Sequence, residues 1–226
     1  MPNAYSLSPA ALARLVPFAV FMLLLALRGY LPPDLGLDPR WIYALQTLIV
    51  AGLLAWYWRD YGELARQNLP DAREVGWAVV VGIAVFALWV KLDAPWMTLG
   101  EPTASFVPLQ PDGRLDWPLI VFRLAGAALV VPLMEELFWR SFLMRWLERP
   151  GFEWVDPQRV GLKAVVLSTF VFTLAHTLWL AAIIAGLAYA LLYRWSGRLW
   201  TAVIAHAVTN GLLGLWVIAS HRWEFW

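Results

Sequence analysis

Seven apolar stretches, each close to the length needed to cross a bilayer, limit what this chain can fold into. In hydrocarbon only a helix or a closed barrel satisfies its own backbone, and a spanning helix needs about 20 mostly apolar residues. The stretches run over 10–27, 41–58, 74–90, 117–134, 162–178, 180–193 and 199–219, and the fourth is expected to continue as helix to Leu147. Residues 31–40, 59–73, 91–116 and 148–159 separate them, and each carries the Pro, Gly or Asp that stops helices. The stretch 91–116 has four prolines and is expected to form a structured or mobile cap.

Composition agrees. Hydrophobic residues make up 61% of the 226, and charged residues only 15%, where soluble domains carry roughly 25%. The expected fold class is therefore all-α, a polytopic transmembrane bundle of about seven helices within a range of six to eight, with one span fewer if one of the two segments after His176 is re-entrant. No internal repeat and no linker divides the chain. One membrane domain over 1–226 is expected, with 1–93 free of motifs, 94–116 as an extracytoplasmic cap and 117–214 as the motif-bearing core. The run from Leu12 to Leu27 ends in Arg28-Gly29-Tyr30 without a small-x-small cleavage site, so it reads as a retained helix. With no cysteine, the chain has no disulfides, thiolate metal sites or cysteine nucleophiles. A net charge of +1 without a basic cluster gives no sign of nucleic-acid binding.

Orientation follows the loop cations. The end of the bundle that holds the N-terminus collects Arg14, Arg59, Arg66, Arg73 and seven further Lys or Arg residues between Arg140 and Arg198. The opposite end has only Arg28, Arg40, Lys91, Arg114 and Arg222. The N-terminus is expected in the cytoplasm, in a multi-pass protein of the cell (inner) membrane.

Polar groups within the apolar stretches carry the functional signal. Glu135-Glu136-Leu137-Phe138-Trp139-Arg140 closes the fourth stretch. Helical spacing sets Glu136 and Arg140 on one face, while Glu135 points about 100° away. As a bare membrane-edge feature, Arg140 and Arg145 would be interfacial anchors. Measured from Arg140 and Arg198, Glu135 and His206 would lie about 8 and 12 Å inward, at similar depth. Arg123 is about 18 Å along the helix from Glu135 and reads as a snorkelling residue or a loop-carboxylate partner. Gln46 reads as an interhelical hydrogen bond. Ser168 lies eight residues before His176, only loosely on its face. Histidines 176 and 206 and the amide of Asn210 occur in otherwise apolar surroundings, and a shared polar cavity lets each satisfy the others. A desolvated carboxylate is a usable general base, and a histidine with an amide can hold a developing oxyanion. Glu135, His176 and His206 would equally suit a zinc ion with one open position, though the helical His-Glu-x-x-His signature is absent.

Three ordered blocks, Glu135-Glu136-x-x-x-Arg140, Phe172-x-x-x-His176 and His206-x-x-x-Asn210, resemble the signature of the CAAX-protease and bacteriocin-processing (CPBP) family of glutamate intramembrane proteases. Ser196-Gly197-Arg198 before the last block fits the pattern, and the closing Trp223-Glu224-Phe225-Trp226 is similar to a bacterial CAAX prenyl protease-related branch. The resemblance covers about 117–214. It implies that Glu135 activates water, that His176 positions it, and that His206 and Asn210 form the oxyanion site. Glu136, Arg140 and Phe172 would be supporting residues. It implies a cavity between helices four, five and seven, no cofactor with zinc as a minor alternative, and a membrane-associated peptide substrate, prenylated or not. The competing expectations are a non-catalytic membrane protein that binds or neutralises a peptide, as in immunity, and a metal-dependent membrane hydrolase.

Overall fold

The computed structural model describes residues 7–28, 38–100 and 106–226. The loop expected over 31–40, the Gly29-Tyr30 end of the first run and part of the cap thus fall largely outside the described residues. Among those described there are seven helices of ten residues or more, as expected, and no strand: α1 Pro9–Arg28, α2 Trp41–Trp56, α3 Ala72–Trp89, α4 Trp117–Glu148, α5 Leu162–Leu174, α6 Trp179–Ser196 and α7 Leu199–Ser220. Five are long and apolar enough to cross a membrane, and α2 and α5 are shorter apolar helices. The chain is a polytopic helical bundle.

Local chemistry sets the helix ends. Asp71 and Glu74 form a reciprocal capping box at the start of α3. The Asp116 carboxylate faces the first turn of α4, and Gly197, at φ 70°, ends α6 in the left-handed region that glycine tolerates. α5 departs from expectation. It stops at Leu174, so His176 lies in the break before α6 rather than inside a helix. No Gly or Pro marks this stop. The amides of Ala175 and His176 instead reach back only three residues, to Phe172 and Thr173. The cap holds the break from outside: the Leu99 amide donates to the Thr177 carbonyl at 2.7 Å, and the Trp179 indole to the Trp96 carbonyl at 3.1 Å. The α6 stretch, expected to be the short one, runs for 18 residues, and the short helix is α5, with 13.

Helix α4 changes pitch twice. Gly126–Val130 and Leu137–Met144 are wound as π-helix, and Glu135 and Glu136 sit in the α-helical piece between them. The first π segment leads into Pro132, which has no amide hydrogen to give to the preceding turn. The Val131 amide still donates to Gly126, five residues back. The next bond of that register would run from residue 132 to Ala127, and proline cannot make it.

Small residues bring α7 close to the rest. A Cβ at Gly82 on α3 would lie 2.5 Å from the Ala205 carbonyl oxygen and 2.8 Å from the Val208 Cβ on α7, so only glycine permits this approach. Gln46 donates to the Phe21 carbonyl on α1, as the sequence suggested. Two arginines expected at the membrane edge are buried instead. Arg140 is 2% and Arg145 8% exposed. Arg145 donates to the Val155 and Glu153 carbonyls and to Ser141. Arg14 is likewise buried, pairing with Glu63 at 2.6 Å and donating to Ser141 and to the carbonyls of Ala10 and Asp60. Ser141 also hydrogen-bonds Glu63. These cations tie α1, α4 and the 59–73 loop together, so part of the cation excess at that end serves packing.

Candidate active site

All seven helices and the α5–α6 break contribute polar or aromatic walls to one cavity of about 240 Å³. Glu135 from α4, His176 from the break, and His206 and Asn210 from α7 all line it, with Phe172 from α5. The structure therefore brings residues from all three blocks to one surface. Trp89, Tyr189 and Arg123, to which the sequence reading gave no part in the site, also line it. So do Tyr43, near the start of α2, and Phe225 and Trp226 beyond α7. The cavity thus reaches from the middle of the bundle toward the end where α2 and α4 begin.

Glu136 is fully buried and does two things. Its Oε2 lies 3.1 Å from Arg140 Nε, an ion pair one turn apart, and its Oε1 lies 2.9 Å from His206 Nδ1. The Arg140 guanidinium lies over the Phe172 and Tyr189 rings at 4.8 and 5.6 Å, and Nη2 donates to the Gly186 carbonyl. Tyr189 stacks on His206 with centroids 5.0 Å apart, and its hydroxyl donates to Thr209. His206 is thus held by a carboxylate on one edge and a ring on one face. With Nδ1 taken by Glu136, Nε2 is the nitrogen left for the cavity.

His176 is fixed in a similar way. Its Nδ1 is 2.8 Å from the Phe172 carbonyl, which can only accept, so Nδ1 carries the proton and Nε2 keeps a lone pair. Phe172 and Trp89 flank the ring, with centroids 4.3 and 5.7 Å away. Asn210 donates through Nδ2 to the Ala127 carbonyl at 2.9 Å, the acceptor that Pro132 leaves unserved. One amide hydrogen of Asn210 remains. Glu135 differs from its neighbour: its Oε2 is buried and accepts no hydrogen bond from the described residues. Such an oxygen takes a proton or hydrogen bond readily from whatever enters the cavity.

Arg123 packs against aromatic rings. Its guanidinium lies 4.1 Å from the centre of the Tyr43 ring and 5.5 Å from that of Phe106, on the cavity side. The Ser168 hydroxyl is buried and donates to its own helix at Val165. Among the described residues no three of His, Cys, Asp and Glu are grouped to hold a metal ion.

A helical membrane bundle with an enclosed cavity, a carboxylate oxygen that accepts no hydrogen bond and two oriented imidazoles has the groups that a membrane hydrolase uses. Residues 117–212, somewhat under half of the chain, match the family described as type II CAAX prenyl endopeptidase, Rce1-like. The match agrees with the resemblance that the three blocks carry, to CAAX-type membrane endopeptidases. No curated protein matches the chain, and neither does any solved structure. The match ends at residue 212 and so takes in every residue of the three blocks.

Proposed function

We propose that the protein is an intramembrane endopeptidase in which Glu135 activates water against a peptide bond of a membrane-associated substrate. The observation that carries this reading is the shared wall: Glu135, His176, His206 and Asn210 face one cavity, and both imidazoles are held by bonds through Nδ1. Glu135 takes a proton from water as the oxygen attacks the carbonyl carbon, and later passes it to the leaving amine. His176 Nε2 accepts the second hydrogen of that water and fixes its direction. The free N–H of Asn210 donates to the developing oxyanion, with His206 beside it. The Glu136–Arg140 pair orients His206 and takes no proton from substrate. A substrate chain reaches these groups from the end of the bundle where α2 and α4 begin.

The test compares cells expressing wild type, Glu135→Gln or His206→Ala at equal levels, with mapping of the N- and C-terminal peptides of their membrane proteins. The proposal expects new termini with wild type that vanish with both variants. Identical termini in all three strains would overturn it and leave peptide binding without cleavage.

A further inference from the structure

A second hollow, of about 270 Å³, lies in the seam between α3 and α6, away from the cavity just described. Arg73, Trp77, Val81, Leu192 and Trp195 line it. On α3 the three wall residues recur every fourth position, so they stack on one face at intervals of about 6 Å along the axis. On α6, Trp195 stands in the last turn and Leu192 one turn deeper. The first turn of α3 and the end of α6 share one end of the bundle, where Arg198 pairs with Glu74 at 3.1 Å. Both walls therefore change in step with depth, from a guanidinium through two indoles to aliphatic side chains. Trp77 and Trp195 are 50% and 47% exposed, a heavy exposure of indole for which the membrane–water boundary is the natural medium. No described carboxylate pairs with Arg73. Arg59, Arg66 and Arg194 add positive charge to the same end.

We propose that this groove binds one phospholipid with an anionic headgroup. The phosphate pairs with Arg73, the glycerol region lies between Trp77 and Trp195, and an acyl chain follows Val81 and Leu192. A forked guanidinium suits phosphate oxygens, and indoles suit the ester level of a bilayer. The apolar floor demands a chain, which a free anion lacks. The anionic headgroup follows from a cation without a protein counter-charge at an end that carries several more.

Delipidated protein in detergent is titrated with phosphatidylglycerol or phosphatidylcholine, and bound lipid is read by native mass spectrometry. Wild type should hold one phosphatidylglycerol about fivefold more tightly than Arg73→Gln does, the scale of one basic residue against an anionic lipid. Arg73→Lys should keep most of that preference, and Val81→Trp, which fills the hollow, should weaken both lipids. Equal phosphatidylglycerol retention by wild type and Arg73→Gln would overturn the proposal. So would phosphatidylcholine binding as tightly as phosphatidylglycerol, or displacement of the lipid by millimolar inorganic phosphate.

Discussion

The side-chain amide of Asn210 donates to the backbone carbonyl of Ala127 at 2.9 Å. That carbonyl is the one left without a donor where the π segment of α4 meets Pro132. A break in one helix is thereby repaired by a side chain from another, and the repair sets Asn210 beside the cavity with one N–H to spare. π segments recur at functional sites because they turn side chains out of the regular helical order.

The Asn210–Ala127 bond predicts a coupling that stability measurements can read. Asn210→Ala should cost about 1 kcal/mol from the lost hydrogen bond. Pro132→Ala supplies an amide hydrogen at the break, so adding it to Asn210→Ala should recover part of the stability but not the proteolysis. A double-mutant cycle by thermal unfolding in detergent measures this, and strictly additive effects would disprove the coupling.

Glu135 and Glu136 should separate cleanly despite their adjacency. Glu135→Gln should lower cleavage by about 10²–10⁴-fold, the range of a lost general base, with little change in unfolding temperature. Glu136→Gln should lower both, because it strands Arg140 in a buried site, a loss of about 3 kcal/mol. Cleavage rate and unfolding temperature measured on the same preparations test the split.

Gly82→Ala should push α7 away from α3, since its Cβ would meet Ala205 O at 2.5 Å. Overpacking of this kind costs about 1–3 kcal/mol. Cleavage should fall too, because His206 and Asn210 ride on α7. Full activity with unchanged stability would show that the seam gives way freely.

Burial pushes the Glu63 carboxyl upward, yet the hydrogen bonds and charge of Arg14, with the Ser141 hydroxyl, hold it below the ordinary glutamate value. A carboxyl lowered on folding adds stability above its unfolded value and loses it as pH falls through the lower folded value. Wild type should therefore weaken on acidification below the ordinary glutamate range. Glu63→Gln should be less stable at neutral pH and show a flatter acid limb. Unfolding temperatures recorded from pH 7 to pH 3 decide between these outcomes.

The chain has no cysteine, so single cysteines report topology cleanly. Asp112 and Arg159 are exposed and lie at opposite ends of the bundle. By the excess of cations, Asp112→Cys should react with an impermeant thiol reagent in intact cells, and Arg159→Cys only after the membrane is opened. The reverse result would turn the cavity end toward the cytoplasm.

Much of the site was legible. The Glu136–Arg140 pair follows from spacing alone, and the face of Glu135 follows with it. The His206 partner did not, because Glu136 is 70 residues away in sequence and no local pattern joins them. Tyr189 and Trp89 were hidden for another reason: an aromatic ring in an apolar helix looks the same whether it faces lipid or backs a histidine. Arg140 and Arg145 misled, since a charge near the end of an apolar run reads as an edge residue until the tertiary fold shows it enclosed.

Hydrophobic length and helix-stopping loops determined by themselves that this is a helical membrane bundle, and three polar blocks set its resemblance to CAAX-type endopeptidases over 117–212. Those properties act along the chain, where periodicity and transfer energy are local. Only the tertiary structure decided that α5 stops before His176, that Asn210 mends the break at Pro132, and that the cavity leans toward the end where α2 and α4 begin. Each depends on which backbone group finds a partner on another helix, and in an apolar interior a lone donor or acceptor is satisfied across space or not at all.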